Sequence, residues 1–554
     1  MDYNENFSAE LIGVNESQLA AINYDAGAAF CIAGPGSGKT RVITLRALRL
    51  LSEYGDDNAV LTLAFNRQAA EEMKKRAEDY GKKYDFYEKN AKKLKFCTIH
   101  KYAYEIINEY YNMKNLTPPK VIEETYAAET VKNIYKSVKN TQYISSETMK
   151  ILMAYLENEG ASASCEEDFA EIGEKYGEFK KERGLVDFND MIVGALGIMR
   201  NDGNFNDKVK KRFRFLQVDE AQDLSPIQID FIKSISGENI FYVADDDQSI
   251  YGFRGARPEV LSQIVKSSGT KRFILDKNYR SGSVIVDIAT RFVEQNRVRF
   301  PKKLVADNVN SGVVKVKTYA NVKKQAVSVA KLICKRVREG KTCAVLYRNN
   351  VSGILPLCAL YFEAKKQKID IGATIMGENT LISDIPILRA IADYINVHKE
   401  VKSPGSAVRN LRRNGLYDNI SFGVFSSGKR KFIGETLKDC ATFICERSLD
   451  AKSVMENAEK IDSLSQKTHV PIVTFSTVHS SKGLEFDTVI ITDCVEGEFP
   501  YGDMSDEKTE AEERRLMYVA MTRAKSELII TFPRVCGEMT LKAGKFIYEI
   551  CENL

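Results

Sequence analysis

One stretch, Ala28–Arg41 with the sequence AAFCIAGPGSGKTR, constrains this chain more than any other. The apolar run Ala29 to Ala33 reads as a buried strand. It breaks at Gly34, Pro35, Gly36, Ser37 and Gly38, and Lys39 and Thr40 then open VITLRALRLL, whose apolar residues recur at helical spacing. Strand, glycine-rich turn and helix in this order form a phosphate-binding loop. Glycines let successive backbone N–H groups turn inward and cradle phosphate oxygens at a helix N-terminus. Lys39 reaches the β and γ phosphates and the Thr40 hydroxyl suits Mg²⁺. Gly36, Ser37, Gly38 and Arg41 complete the nucleotide-binding set. The loop predicts an α/β fold and a bound nucleotide, and alone it says no more.

A matching acidic strand end follows at Phe215–Asp223, FLQVDEAQD. Asp219 and Glu220 fall at the C-terminal end of an apolar, β-prone run, where open parallel sheets bind ligands. Asp219 is placed to hold Mg²⁺, and Glu220 to orient and deprotonate an attacking water. Lys39 and Asp219 lie 180 positions apart (219 minus 39), far more than a few βα units need. An insertion is therefore expected in the first domain, and the Lys-, Glu-, Tyr- and Ala-rich, helix-like stretch 81–184 fits that role. A third strand, Asn239–Ala244, runs into DDDQSIYGFRGA. Gln248 can sense a γ-phosphate there, and Tyr251, Phe253 and Arg254 bring two aromatics and a cation together, a pattern able to stack on unpaired bases.

From these residues onward the chain resembles the UvrD/Rep/PcrA-like superfamily 1 DNA helicases, with motifs in the family's order over most of its length. Gln18 stands where the family reads adenine, and AGPGSGKT resembles motif I. LAFNRQAAEEM (Leu63–Met73) is similar to motif Ia and TIH (Thr98–His100) to Ib, while VDEAQD and ADDDQSIYGFRGA resemble motifs II and III. LDKNYRS (Leu275–Ser281) resembles motif IV, STVHSSKGLEFDTVII (Ser476–Ile491) motif V, and EERRLMYVAMTRAK (Glu512–Lys525) motif VI. The resemblance implies that Arg280 and Arg523 reach the γ-phosphate, that Tyr279 stacks on adenine and that Glu485 lies near the nucleotide sugar. It also implies that Tyr251, Phe253, Arg254 and His479 touch or couple to single-stranded DNA. ATP with Mg²⁺ is the implied fuel, and 3′ to 5′ the implied direction.

The sequence departs from the family pattern in two places. Phe253 stands where the family carries tryptophan, which this chain lacks altogether, and in LAFN the aromatic Phe65 falls one position late. Between VLYRNN (Val345–Asn350) and Val470 only a few helices are expected, such as Ile385–Val397 and Ile433–Glu446, so the 2B insertion is shortened. No C-terminal extension follows GKFIYEI (Gly544–Ile550).

The expected fold is α/β, two RecA-like P-loop domains with parallel sheets, each carrying a mostly helical insertion. Domain 1A takes 1–80 and 185–275, 1B 81–184, 2A 276–378 and 470–554, and 2B 379–469. A net charge of +4 does not by itself announce nucleic acid, although Lys74–Arg76, Lys92–Lys95, Lys208–Arg214, Arg297–Lys303 and Lys429–Lys431 form local basic clusters. The N-terminus reads as neither signal nor transit peptide, no run is long enough to span a bilayer, and eleven scattered cysteines fit reduced thiols in a cytoplasmic protein. Three functions follow: a helicase or translocase acting on single-stranded DNA or a tailed duplex, in DNA repair for instance; a DNA-stimulated ATPase subunit partnered by a nuclease in repair or phage defence; and a small-molecule P-loop enzyme. Arg280, Arg523 and the aromatic third motif argue against the last.

Overall fold

The computed structural model describes residues 13–54, 59–144, 146–157, 167–252, 264–265, 269–307, 310–377, 381–398, 400–414 and 431–554. The chain separates into two compact units, Met1–Asp276 and Lys277–Leu554.

The first unit is built on six strands: β1 (Ala28–Ala33), β2 (Ala59–Ala64), β3 (Leu94–Thr98), β4 (Phe213–Val218), β5 (Asn239–Ala244) and β6 (Lys271–Leu275). They pair in the order β3-β2-β4-β5-β1-β6, every pair parallel. The central strands are apolar almost throughout because helices cover both faces, as β1 (AAFCIA) and β5 (NIFYVA) show. Helix α1 (Glu16–Ile22) starts from an Asn15–Gln18 capping box. Helix α2 (Lys39–Tyr54) begins in the phosphate loop and buries Val42, Ile43, Leu45, Leu48 and Leu51 against the sheet. Arg46 of the same helix is buried, 4.4 Å above the Phe241 ring and donating to Gln217 Oε1 at 2.9 Å.

The segment 81–184 is not wholly an insertion. Leu94–Thr98 is the edge strand of the first sheet, in register with β2 from Val60↔Leu94 to Ala64↔Thr98. Its short LKFCT run sits among lysines, which hides a strand in a helix-like composition. Helix α3 (Ile99–Met113) then packs on α4 (Phe188–Asn201). Between them, Ile122, Ala127, Val131, Leu152, Phe169, Ile172 and Tyr176 make a small apolar core of their own.

The second unit repeats the plan with β7 (Val313–Tyr319), β8 (Cys343–Tyr347), β9 (Gly372–Met376), β10 (Ile472–Thr477), β11 (Phe486–Ile491) and β12 (Ala524–Pro533), again all parallel, in the order β7-β12-β11-β8-β10-β9. Helices α5 (Val322–Arg338) and α6 (Ile354–Gln367) cover one face, and α7 (Glu507–Met521) precedes β12. Helices at Pro386–Val397 and Lys431–Cys445 lie within a residue or two of the expected spans. Ile387, Ile391, Phe443, Ile444, Val454 and Ile461 belong to the same apolar cluster as Val345, Phe475 and Ile490 of the sheet. The described part of 379–469 is thus welded to the core of the second unit.

Candidate ATP and nucleic-acid site

In the first unit the phosphate loop occupies the C-terminal end of β1. Gly36 and Gly38 take left-handed backbone angles (φ 65° and 81°), which a side chain would strain. A Cβ on Gly38 would also come within 2.8 Å of Gln18 Nε2. Gln18 is buried and donates that Nε2 to the Ser37 carbonyl at 2.8 Å, tying α1 to the loop itself. Ser37 Oγ closes the turn on Gly34 O at 2.7 Å, and Arg41 Nη1 donates to Gly13 O at 3.4 Å. Thr40 opens α2, where its carbonyl accepts from Thr44 Oγ1 at 2.7 Å.

Lys39 rests its Nζ 3.9 Å from Asp245 Oδ2. Asp245, which motif reading had not singled out, is fully buried at the end of β5, and Gln248 Nε2 donates to the same carboxylate oxygen. Gln222 supplies the other half of the network. Its Oε1 accepts from Asp245 N at 2.9 Å, and its Nε2 donates to Glu220 Oε2 and, at 3.1 Å, to Asp223 Oδ2. Glu220 itself adopts a left-handed backbone (φ 49°), uncommon for a residue with a side chain and frequent where geometry is held for function. Asp219, Asp223, Asp245, Asp246 and Asp247 are all buried at these two strand ends, and the carboxylates of the last three lie within 4.8 Å of one another. Such a crowd of hard oxygen donors fits Mg²⁺, with Thr40 and Asp219 as the motif-matched ligands.

Three residues beyond Gln248, Tyr251 stacks on Phe65 at 5.2 Å with 23° between the rings. The displaced aromatic of LAFN therefore meets the third-motif tyrosine after all. Phe188, missed in the motif reading, stands 54% exposed at the head of α4 and packs edge-on against His100 at 5.4 Å. Burial holds the His100 ring below its ordinary pKa, hence neutral at pH 7. An exposed phenylalanine beginning a helix (VDFND) is the one sequence signal that could have flagged it. Phe253 and Arg254 lie outside the described residues.

In the second unit the expected residues gather at one corner. Asn278 is buried and its Oδ1 accepts from Arg280 N (2.9 Å) and Ser281 N (2.8 Å), shaping the NYRS turn, with Tyr279 38% exposed beside it. Arg280 Nε donates to Glu485 Oε2 at 2.6 Å, and Lys525 Nζ lies 2.8 Å from Glu485 Oε1. Burial pushes the Glu485 carboxyl up, but Lys525 and Arg280 outweigh it and hold it below the usual carboxylate range. Arg523 is buried rather than at an exposed helix end, its guanidinium donating to Val519 O, Leu484 O and Thr522 Oγ1 at 3.0–3.2 Å. His479 sits in the turn after β10.

Comparison with known proteins agrees with this geometry. The UvrD/REP helicase N-terminal domain matches residues 14–268, and the UvrD-like helicase C-terminal domain matches 273–397 and 442–534. The chain belongs to the UvrD/Rep helicase family. It is similar to the ATP-dependent DNA helicase Rep of Buchnera aphidicola, 25% identical, covering 97% of this chain and 98% of that protein. It is likewise similar to the ATP-dependent DNA helicase PcrA of Staphylococcus epidermidis, 27% identical, covering 98% and 87%. The alignment with Rep spans 643 positions against 554 residues here, so at least 89 of its positions have no counterpart in this chain. Among the described residues no helix is long and apolar enough to cross a membrane.

Proposed function

We propose that this chain hydrolyses ATP to move 3′ to 5′ along single-stranded DNA. One observation carries the reading. The short segment 245–251 holds Asp245 and Gln248, joined to Lys39 and to the Glu220 network, at one end, and Tyr251, stacked on Phe65, at the other. A change in what Lys39 and Gln248 touch is thereby transmitted over three residues to an aromatic surface suited to bases.

In this reading Lys39 and the loop N–H groups bind the β and γ phosphates, and Gln18 and Tyr279 hold the adenine. Glu220, fixed by Gln222, takes the proton of the attacking water. Mg²⁺, when bound through Thr40 and Asp219, supplies charge neutralisation between the phosphates. Arg280 and Arg523 stabilise charge on the transferring phosphoryl group, for which planar, permanently charged guanidinium forks are suited. Each nucleotide state makes different contacts with these groups, and that difference is what can shift a conformational equilibrium and move the strand. Tyr251, Phe253, Arg254 and His479 are read as strand contacts, and Phe65, stacked on Tyr251, and the His100–Phe188 pair are proposed to join them.

Steady-state ATPase with and without single-stranded DNA, run beside strand displacement from 3′-tailed and 5′-tailed duplexes, tests this. DNA-stimulated turnover with displacement from the 3′ tail alone is expected. Stimulation without displacement points to an ATPase subunit working with a nuclease partner, and absence of stimulation refutes the motor altogether.

A further inference from the structure

The second unit contains a charge triad, Arg280–Glu485–Lys525, whose lysine has no role among the motif residues. Glu485, in the turn before β11, divides its two carboxylate oxygens between Arg280 Nε (2.6 Å) and Lys525 Nζ (2.8 Å). The partners arrive on backbone that is itself tied together: Ser281 Oγ donates to Ala524 O at 2.6 Å, and Gly282 N donates to Lys525 O at 2.8 Å. Lys525 is the second residue of β12, and Ala524, which opens that strand, is in register with Phe486 of β11, so the strand pairing keeps the lysine close to Glu485. Arg280 reaches a second acceptor, Thr522 O at 3.4 Å, on the corner that also holds the Arg523 guanidinium.

We infer that Lys525 is a positioning residue for Arg280, acting through Glu485; this rests on the reading of Arg280 as a γ-phosphate ligand. A carboxylate on a turn, 43% exposed, has several rotamers open to it. With one oxygen held by Lys525, the other is left facing Arg280 at a fixed place, and the guanidinium is pre-aimed instead of free to lie along the surface. The triad carries a net charge of +1, so Arg280 is held without its attraction for phosphate being cancelled. A lone Arg280–Glu485 pair would be neutral and would compete fully with the phosphate. Lys525 itself touches no reacting atom.

The test is single-stranded-DNA-stimulated ATPase at saturating oligo(dT) on the full chain. Lys525→Met is expected to lower kcat about two- to fivefold, the effect of losing a half-exposed charge pair, with KM for ATP unchanged. Lys525→Arg is expected to restore it. In an Arg280→Ala background Lys525→Met should cost nothing further, because both act on one group. Arg280→Ala that leaves kcat intact removes the phosphate reading of Arg280. Arg280→Ala that lowers kcat while Lys525→Met is silent, additive with it, or not rescued by arginine overturns the positioning role instead. An unchanged thermal transition of Lys525→Met separates these outcomes from misfolding.

Discussion

Raising the pH from about 5 to about 8 is expected to loosen the second unit, with Glu498 as the main cause. This glutamate stands beyond β11 with its Oε2 accepting from Asn349 Nδ2 at 2.9 Å. Burial and the neighbouring Asp493 push its carboxyl up to about 8, against the pull of Arg348 and Asn349. Asp493 is itself raised to about 6 by burial, which Ser352 and Gln325 only partly offset. In an unfolded chain a glutamate titrates near about 4.3. Between these values the folded protein keeps a proton that the unfolded chain has released. The contribution of this group to stability is therefore whole below about pH 4, falls as pH rises and is lost above about pH 8. The limiting slope is about 1.4 kcal/mol per pH unit, and solvent screening of a partly exposed side chain reduces the loss from pH 5 to 8 to about 2–3 kcal/mol.

Urea unfolding of the full chain at several pH values, read by hydrogen exchange on peptides from β8 and β11, isolates this unit. The wild-type midpoint should fall steadily toward pH 8, and the Glu498→Gln midpoint should fall much less, the residue being unable to ionise. Parallel curves for the two proteins would show that the proton belongs elsewhere.

Glu220→Gln should retain nucleotide binding, measured by a fluorescent ATP analogue, while ATP turnover drops by about 100-fold or more as the general base is lost. Arg46→Met removes the donor to Gln217 Oε1 and Tyr24 O inside the first unit. Orphaning one buried and one partly buried acceptor should destabilise that unit by about 2–4 kcal/mol, seen in exchange of β4 peptides, and a loss under about 1 kcal/mol would contradict the assignment. Phe65→Ala takes away the ring stacked on Tyr251, so the DNA concentration for half-maximal stimulation should rise about two- to tenfold with basal KM for ATP unmoved. An unchanged DNA requirement would place the strand elsewhere.

The phosphate loop was readable because its glycines, lysine and threonine are each demanded locally, by backbone angle or by reach. The strands ending at Ala33, Val218 and Ala244 were readable for a similar reason, since parallel strands covered on both faces leave continuous apolar runs. Other features depend on tertiary neighbours and leave little local trace. Asp245 matters because Lys39, more than two hundred residues away in sequence, rests beside it, and Gln222 because it spans two strand ends. The strand Leu94–Thr98 was hidden by its lysine-rich flanks, and only its register with β2 reveals it. The helices at Pro386–Val397 and Lys431–Cys445 were legible within 379–469. The union of that segment with the core of the second unit was not, because an amphipathic helix does not announce which apolar surface it will cover.

The two cations that the proposed function assigns to phosphate are held in the same way. Lys39 rests against Asp245 and Arg280 against Glu485, each a carboxylate of its own unit. An ammonium or guanidinium poised at a partly dehydrated surface is costly without an anion nearby. Each carboxylate meets that cost before substrate arrives, so binding a triphosphate exchanges one anion for another instead of dehydrating a bare cation. The gain on binding is then a difference between two charge-assisted contacts. A modest difference suits the proposed motor, which must release the product as well as seize the substrate. It also explains why Asp245 belongs to the same seven-residue segment as Tyr251. Under the proposed function, Lys39 moving from acid to phosphate would rearrange the network at Asp245, and the Tyr251 end of that segment would be the shortest route to a bound strand.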